Sequence, residues 1–122
     1  MNVTIVKDRC RVVCRSAKEL RVISYDEAYG EGCDLIVVSD NERIYVIECK
    51  ESLKSATSLN KVVQQIEKCI DFVKKSLGRH TVQKIYIKER GKRVYSQFVD
   101  YLKKRGIEVH ESVFELRAPR RT

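Results

Sequence analysis

The sequence Gly32-Cys33-Asp34-Leu35-Ile36-Val37-Val38 is followed by the polar segment Ser39-Asp40-Asn41-Glu42 and then by Arg43-Ile44-Tyr45-Val46-Ile47-Glu48-Cys49-Lys50. Two runs of mainly β-branched residues joined by a short polar segment predict a β-hairpin. Because the start of the first antiparallel strand lies beside the end of the second, Asp34 and Glu48 are expected to meet at one edge of the sheet. Glu48 and Lys50 are two residues apart, so both side chains leave the same face.

Two carboxylates and an ammonium group are thus predicted to converge where apolar strands end. Carboxylates repel each other unless a cation lies between them, and Mg²⁺ prefers oxygen ligands of this kind. Asp34 and Glu48 are therefore predicted metal ligands, with Lys50 as their catalytic partner, in a site suited to phosphodiester hydrolysis. The alternative is that Glu48 and Lys50 form an ordinary surface ion pair at the end of a strand.

Length and composition favour one globular domain over residues 1–122. The chain is 43% hydrophobic and 34% charged, which is typical of a folded rather than a disordered protein. No apolar run approaches the ~20 residues that a membrane helix needs. Residues 1–8 also lack the apolar segment of a secretory signal. We therefore expect a cytoplasmic protein with no membrane partner.

The formal net charge of +8 favours polyanionic partners. A chain that is basic overall, yet concentrates carboxylates at one edge of a sheet, has the charge distribution that a metal-dependent nuclease needs. DNA is therefore the predicted partner, and for each basic residue the alternative is a solvated surface charge. The candidates for contact with the DNA backbone are Lys54, Lys61, Lys88, Arg90, Lys92 and Arg93, with Arg117, Arg120 and Arg121 in a basic tail.

Five cysteines occur in the chain, with no CxxC pair among them. Zinc and iron–sulfur sites usually need tighter clusters. The expectation is that the cysteines are small buried thiols. Disulfides are the alternative if the source is a hyperthermophile.

Apolar spacing predicts the remaining elements. Residues 4–20 predict a helix, with a strand over residues 2–6 as the competing interpretation. The pattern then predicts a strand at 21–25, a polar loop at 26–32, the hairpin, a polar loop at 51–58, a helix at 58–77, a strand at 82–87, a helix at 94–104 and a strand at 107–109. Val113, Phe114 and Leu116 are expected to extend or pad the sheet. This order predicts an α/β fold built on a mixed central sheet.

The order of elements, with Asp34, Glu48 and Lys50 in place, resembles the PD-(D/E)xK nucleases of the restriction-endonuclease-like fold. The resemblance implies an αβββαβ core over about residues 4–87, in which helices flank the mixed central sheet. It leaves a helix–strand extension at 88–116 and a basic tail at 117–122. Within this superfamily the chain looks most like the archaeal Holliday-junction resolvases, small basic proteins in which a glycine-rich polar loop leads to the first aspartate.

The resemblance also implies roles for individual residues. Asp34 and Glu48 match the two metal-binding acids, Lys50 matches the lysine of the motif, and the main-chain carbonyl of Cys49 matches a further metal ligand. The family often has an acid on the first helix, for which Asp8 is the candidate by position and Glu19 competes. The implied cofactor is Mg²⁺, for which Mn²⁺ is expected to substitute.

The implied function is a Mg²⁺-dependent endodeoxyribonuclease that cuts branched or duplex DNA as a homodimer, with the structure specificity of a junction resolvase. Phe114 is a candidate for the dimer interface. A nuclease of the same fold with a repair, restriction-like or mobile-element substrate is one alternative. A non-catalytic nucleic-acid-binding or assembly module is another. His80 and His110, the only histidines, leave a histidine-based ribonuclease as a third.

Overall fold

The structure is a computed structural model that describes residues 2–40, 42–50, 52–78 and 81–116. His80 and the basic tail at 117–122 therefore lie outside the described residues. The elements are β1 (Val3–Lys7), β2 (Cys10–Cys14), β3 (Leu20–Ser24), α1 (Tyr25–Tyr29), β4 (Leu35–Ser39), β5 (Arg43–Lys50), α2 (Ala56–Leu77), β6 (Val82–Lys88), α3 (Ser96–Lys104), β7 (Ile107–Glu111) and β8 (Val113–Leu116). No helix in these ranges has the length and apolar character needed to cross a bilayer.

The central sheet has five strands in the order β3-β4-β5-β6-β7. Strands β3, β4 and β5 are antiparallel neighbours, whereas β6 and β7 add in parallel. The predicted hairpin of β4 and β5 is confirmed, with Leu35 opposite Ile47 and Ser39 opposite Arg43. Helices α2 and α3 are the crossovers that return the chain between the parallel strands. The mixed sheet and the general α/β class are therefore as predicted.

Helix α2 follows the predicted apolar stripe and begins two residues earlier than expected. Ser55 caps its start, because the Ser55 hydroxyl accepts a 3.1 Å hydrogen bond from the main-chain amide of Ser58. Gly78 ends the helix with a φ of 81°, a conformation that favours glycine. The buried stripe consists of Leu59, Val62, Val63, Ile66, Cys69 and Val73.

The helix predicted over residues 4–20 is wrong, and the competing strand interpretation of residues 2–6 is correct. Strands β1 and β2 form an antiparallel hairpin whose turn includes Asp8 at a φ of 53°. Cys10, Val12 and Cys14 are buried in strict alternation, which is the period of a strand. The same apolar positions also satisfy a helical spacing, so periodicity alone did not separate the two structures.

Strand β2 also pairs in parallel with β8, which makes a second, three-stranded sheet. This sheet packs on one face of the central sheet, where Val12 and Phe114 join Leu35, Val37 and Ile85 in a common core. Helices α2 and α3 cover the other face. The expectation that helices flank the sheet thus holds for one face only. Phe114 is buried in this core and does not present an interface.

Four of the five cysteines form disulfides. The expectation that all five are buried thiols is therefore wrong, and the alternative of disulfide bonds is correct. Cys10 on β2 is bonded to Cys49 on β5, with the two Cα atoms 6.2 Å apart. Cys33 before β4 is bonded to Cys69 on α2, with a Cα separation of 5.9 Å. The bonds therefore tie each outer layer to the central sheet. Cys14 is free and buried.

Candidate active site

The end of β3, the start of β4 and the ends of β5, β6 and β7 all lie at one edge of the central sheet. Asp34 immediately precedes β4, and Glu48 and Lys50 lie in the last three positions of β5. Leu35 is opposite Ile47, so continuing the register by one residue places Asp34 opposite Glu48. The structure thus brings the two acids together at the edge that the hairpin pattern indicates.

Hydrogen bonds fix the Asp34 carboxylate in this position. Its Oδ2 atom accepts a 2.7 Å bond from the main-chain amide of Cys49. Its side chain is also hydrogen-bonded to that of Glu48, which is only 3% exposed. Burial raises the pKa of Asp34 above its usual range.

Burial also raises the pKa of Glu48, to about 10, and the neighbouring Asp34 carboxyl reinforces this effect. The positive charge of Lys50 acts in the opposite direction and lowers the Glu48 pKa. Near neutral pH Glu48 is therefore protonated, because two buried carboxylates in contact do not both ionise without a cation.

A third carboxyl, that of Asp26 on α1, reaches this pair through a side-chain hydrogen bond to Asp34. Lys7 at the end of β1 is 13% exposed, and its Nζ atom lies 2.9 Å from Asp26 Oδ1 and 3.1 Å from Glu27 Oε1. Burial favours the neutral form of Asp26, but the hydrogen bond and the charge of Lys7 outweigh it and lower the Asp26 pKa. Asp26 is thus ionised and neutralised by Lys7.

The sequence predicts a polar loop at residues 26–32, whereas α1 spans Tyr25–Tyr29, and Asp26 was therefore missed as a site residue. A signal existed: the end of an antiparallel strand lies beside the start of its neighbour, so an acid just after β3 falls near Asp34. Asp8, the acid proposed by position, lies exposed in the β1–β2 turn. Glu19 lies at the opposite edge, where its carbonyl accepts a 2.8 Å hydrogen bond from the Asp40 amide. Neither takes the place that Asp26 occupies.

Two further residues missed by the sequence reasoning lie beside the acid pair. Tyr86 on β6 is opposite Glu48 and fully buried, and its hydroxyl has no hydrogen-bond partner within the described ranges. Burial raises the Tyr86 pKa, and the charges of Glu48 and Glu89 raise it further. Glu89 is 6% exposed, and its amide donates a 3.2 Å hydrogen bond to the Lys50 carbonyl. A polar layer thus extends from the acid pair along β6.

The basic residues predicted to contact DNA have different surroundings. Lys88 pairs with Glu111 at 3.2 Å. Lys61 lines an open cleft between the loop before β4 and α2, together with Gly32, Asn60 and Gln64. The remaining candidates, Lys54, Arg90, Lys92 and Arg93, are exposed. The ring of His110 packs at a tilt against that of Phe114, with the ring centroids 4.8 Å apart.

No protein-family model, curated protein sequence or solved structure matches this chain. Within the part of the chain that the structure describes, no group of three or more His, Cys, Asp or Glu side chains is arranged to hold a metal ion. The candidate site therefore consists of two carboxyls in contact, a third carboxyl held by Lys7, and the ammonium group of Lys50.

Proposed function

We propose that this chain is a Mg²⁺-dependent endodeoxyribonuclease, with Asp34 and Glu48 as metal ligands and Lys50 as the catalytic cation. The observation that carries the proposal is the contact between the Asp34 and Glu48 carboxyls at the sheet edge, beside Lys50. A shared proton is what such a pair holds in the absence of a metal. A divalent cation in its place would neutralise both acids.

The donor set fits magnesium. Mg²⁺ in proteins is commonly held by one or two carboxylates, while waters and substrate phosphates complete its coordination. Asp34 and Glu48 supply that number, and the main-chain carbonyl of Cys49 is the further ligand that the resemblance implies. When bound, the ion would polarise the scissile phosphate and lower the pKa of a coordinated water.

The protein's own residues would then orient the reactants. The Cys49 amide holds the Asp34 carboxylate in one orientation. Lys50 would stabilise the negative charge that develops on the phosphate oxygens. Lys7 keeps Asp26 neutralised, which limits the negative charge that a polyanionic substrate meets.

The order of the central elements supports the proposed family. In this proposal, the βββαβ part of the restriction-endonuclease-like core would consist of the antiparallel strands β3, β4 and β5, helix α2 and the parallel strand β6. The β1–β2 hairpin stands where that core has its first helix, and α1 is inserted between β3 and β4. A junction-resolvase substrate and a homodimer remain parts of the proposal that rest on the resemblance alone.

The test measures cleavage of labelled DNA in the presence of Mg²⁺ or Mn²⁺. The substrates are a four-way junction, a flap, a nicked duplex, a single strand and a linear duplex. We expect cleavage by the parent that EDTA abolishes and that Asp34→Asn and Lys50→Ala each reduce about 10²-fold or more. The matched controls are Asp100→Asn and Lys103→Ala, which change exposed residues of α3 and should cut like the parent. DNA binding without cleavage on any substrate would instead support the non-catalytic binding module.

A further inference from the structure

Three arginines line an open groove of about 510 Å³ beside the tip of the β1–β2 hairpin. Arg9 lies in the hairpin turn, Arg11 on β2 and Arg90 just after β6. All three residues are exposed, and none of them forms an ion pair with another residue that the structure describes. A single water needs only about 10–15 Å³ of such space, so the groove has room for a phosphate group.

The acid in the groove does not neutralise these arginines. Glu111 also lines it, but its Oε2 atom pairs with Lys88 Nζ at 3.2 Å. Two guanidinium groups from the β1–β2 hairpin and one from the segment after β6 thus face one space, and none has a counter-charge among the described residues. Arginine presents a planar fork of donors that matches phosphate oxygens, so the chemistry of the groove favours a phosphate-bearing ligand.

The groove lies at the same edge of the central sheet as the proposed active site. Cys10, the residue between Arg9 and Arg11, is disulfide-bonded to Cys49, the residue between Glu48 and Lys50. Arg90 follows Glu89, whose amide donates to the Lys50 carbonyl at 3.2 Å. A polynucleotide strand that crosses this edge with one phosphate at the acid pair would reach Arg90 at the edge, and Arg9 and Arg11 on the second sheet.

We propose that the groove of Arg9, Arg11 and Arg90 binds backbone phosphates of the DNA strand that passes over the acid pair. This inference rests on the proposed function for the identity of its ligand. Contact with phosphates rather than bases makes the groove a positioning surface that is indifferent to sequence. Each arginine then contributes to the salt dependence of binding, because phosphate contacts release condensed counterions.

The test compares two triple variants that each lower the net charge from +8 to +5. Arg9→Gln/Arg11→Gln/Arg90→Gln removes the groove cations. Lys74→Gln/Lys75→Gln/Lys104→Gln removes three exposed lysines near the ends of α2 and α3, at the opposite edge of the sheet. Fluorescence anisotropy with a labelled duplex in EDTA, over a range of NaCl concentrations, measures binding without cleavage.

We expect the groove variant to bind at least about tenfold more weakly at 0.1 M salt. The slope of log Kd against log salt should fall by about one for each phosphate that an arginine no longer neutralises. This decrease in slope should be the same for duplexes of unrelated sequence. The charge-retaining variant Arg9→Lys/Arg11→Lys/Arg90→Lys should recover most of that slope. Equal binding by the groove variant and the lysine control would overturn the proposal.

The two proposals fail in different ways. If the parent cuts DNA but the groove variant binds like the lysine control, the nuclease assignment stands and the groove assignment falls. If the parent never cuts DNA but the groove variant alone loses binding and salt dependence, the groove stands and the nuclease assignment falls. Thermal unfolding of each variant checks that the folded state is retained.

Discussion

The main-chain amide of Cys49 donates a 2.7 Å hydrogen bond to Oδ2 of Asp34, while the Cys49 sulfur is bonded to Cys10 on the neighbouring sheet. One residue therefore orients a proposed metal ligand and also anchors the second sheet. Adjacent side chains of a strand leave opposite faces, so Cys49 makes its disulfide on one face while Glu48 and Lys50 project from the other. The orientation of Asp34 and the attachment of the second sheet thus depend on the same residue.

The protonation of Glu48 predicts an unusual pH dependence of stability without metal. The Glu48 pKa is raised to about 10 in the folded protein, against 4.5 for an ordinary glutamate. The folded state therefore binds more protons between these values, and the free energy of unfolding should fall as pH rises through that window. Urea denaturation in EDTA from pH 5 to 8.5 should show the fall, and Glu48→Gln should largely remove it.

Glu67→Gln is the control for this pH series, because Glu67 is exposed on α2. The free energy of unfolding of Glu67→Gln should change with pH in the same way as that of the parent. Near pH 8, Glu48→Gln should be more stable than the parent by about 1–3 kcal/mol, the usual penalty for an unfavourable buried polar group. Identical pH slopes in the parent and Glu48→Gln would contradict the assignment of the shared proton.

If Asp34 and Glu48 hold Mg²⁺ as proposed, the ion should stabilise the folded parent, because the unfolded chain has no such site. The gain is about 2.7 kcal/mol when free Mg²⁺ is 100-fold above its Kd. It should be larger at pH 8 than at pH 5, since the ion must displace the shared proton. Thermal unfolding in MgCl₂ and in NaCl of equal ionic strength measures the effect, which Asp34→Asn should abolish and Asp100→Asn should leave intact.

The contact between Lys7 and Asp26 should be energetically significant because Lys7 is largely buried. A double-mutant cycle of Lys7→Ala and Asp26→Ala should give a coupling energy on the order of 1 kcal/mol in urea denaturation at pH 7. The Asp26 pKa is lowered, so this coupling should disappear as pH falls below the ordinary aspartate range near 4. The cycle with Glu27, whose side chain is 72% exposed, should give a smaller value.

Gly32→Ala should destabilise the site through Tyr25. A Cβ atom at position 32 would overlap the Tyr25 ring, and Tyr25 begins the helix that carries Asp26. We expect a loss of about 1–3 kcal/mol in the free energy of unfolding and slower DNA cleavage. Tyr25→Leu provides the test of cause: in that background Gly32→Ala should be much less destabilising. An equal penalty in both backgrounds would exclude the ring as its source.

Reduction of the disulfides should lower stability substantially. The Cys10–Cys49 bond joins residues 39 apart, and the chain-entropy relation gives about 4 kcal/mol for a loop of this length. Urea denaturation of Cys10→Ser/Cys49→Ser should show a loss on the order of 2–4 kcal/mol. Dithiothreitol should destabilise the parent more than this variant, which has only one bond left to lose. If dithiothreitol leaves the parent unchanged, the disulfides are absent in solution.

Several elements were predictable because their signals are local. The β4–β5 hairpin has two β-branched runs around a polar turn, and α2 has an apolar stripe with a serine cap at Ser55. The proximity of Asp34 and Glu48 was predictable from the hairpin, because antiparallel pairing alone brings those positions together. No knowledge of distant contacts was needed for these predictions.

The helix prediction for the N-terminal segment was wrong because the apolar positions of that segment fit both the helical and the strand period. Its strand conformation is decided by partners distant in sequence: β2 lies beside β8, with Arg11 opposite Val113. The role of Asp26 likewise depends on Lys7, which only the second sheet brings within 2.9 Å. The disulfide partners were not evident from the spacing of the cysteines.

The sequence by itself determined the central hairpin, the long helix and the meeting of two acids beside a lysine, since hydrophobic period and strand pairing act over short stretches of chain. Only the tertiary structure decided which face the second sheet covers, which third carboxyl joins the pair and where three arginines gather. The physical reason is that these features arise from contacts between segments far apart along the chain, and local residue patterns do not identify such partners.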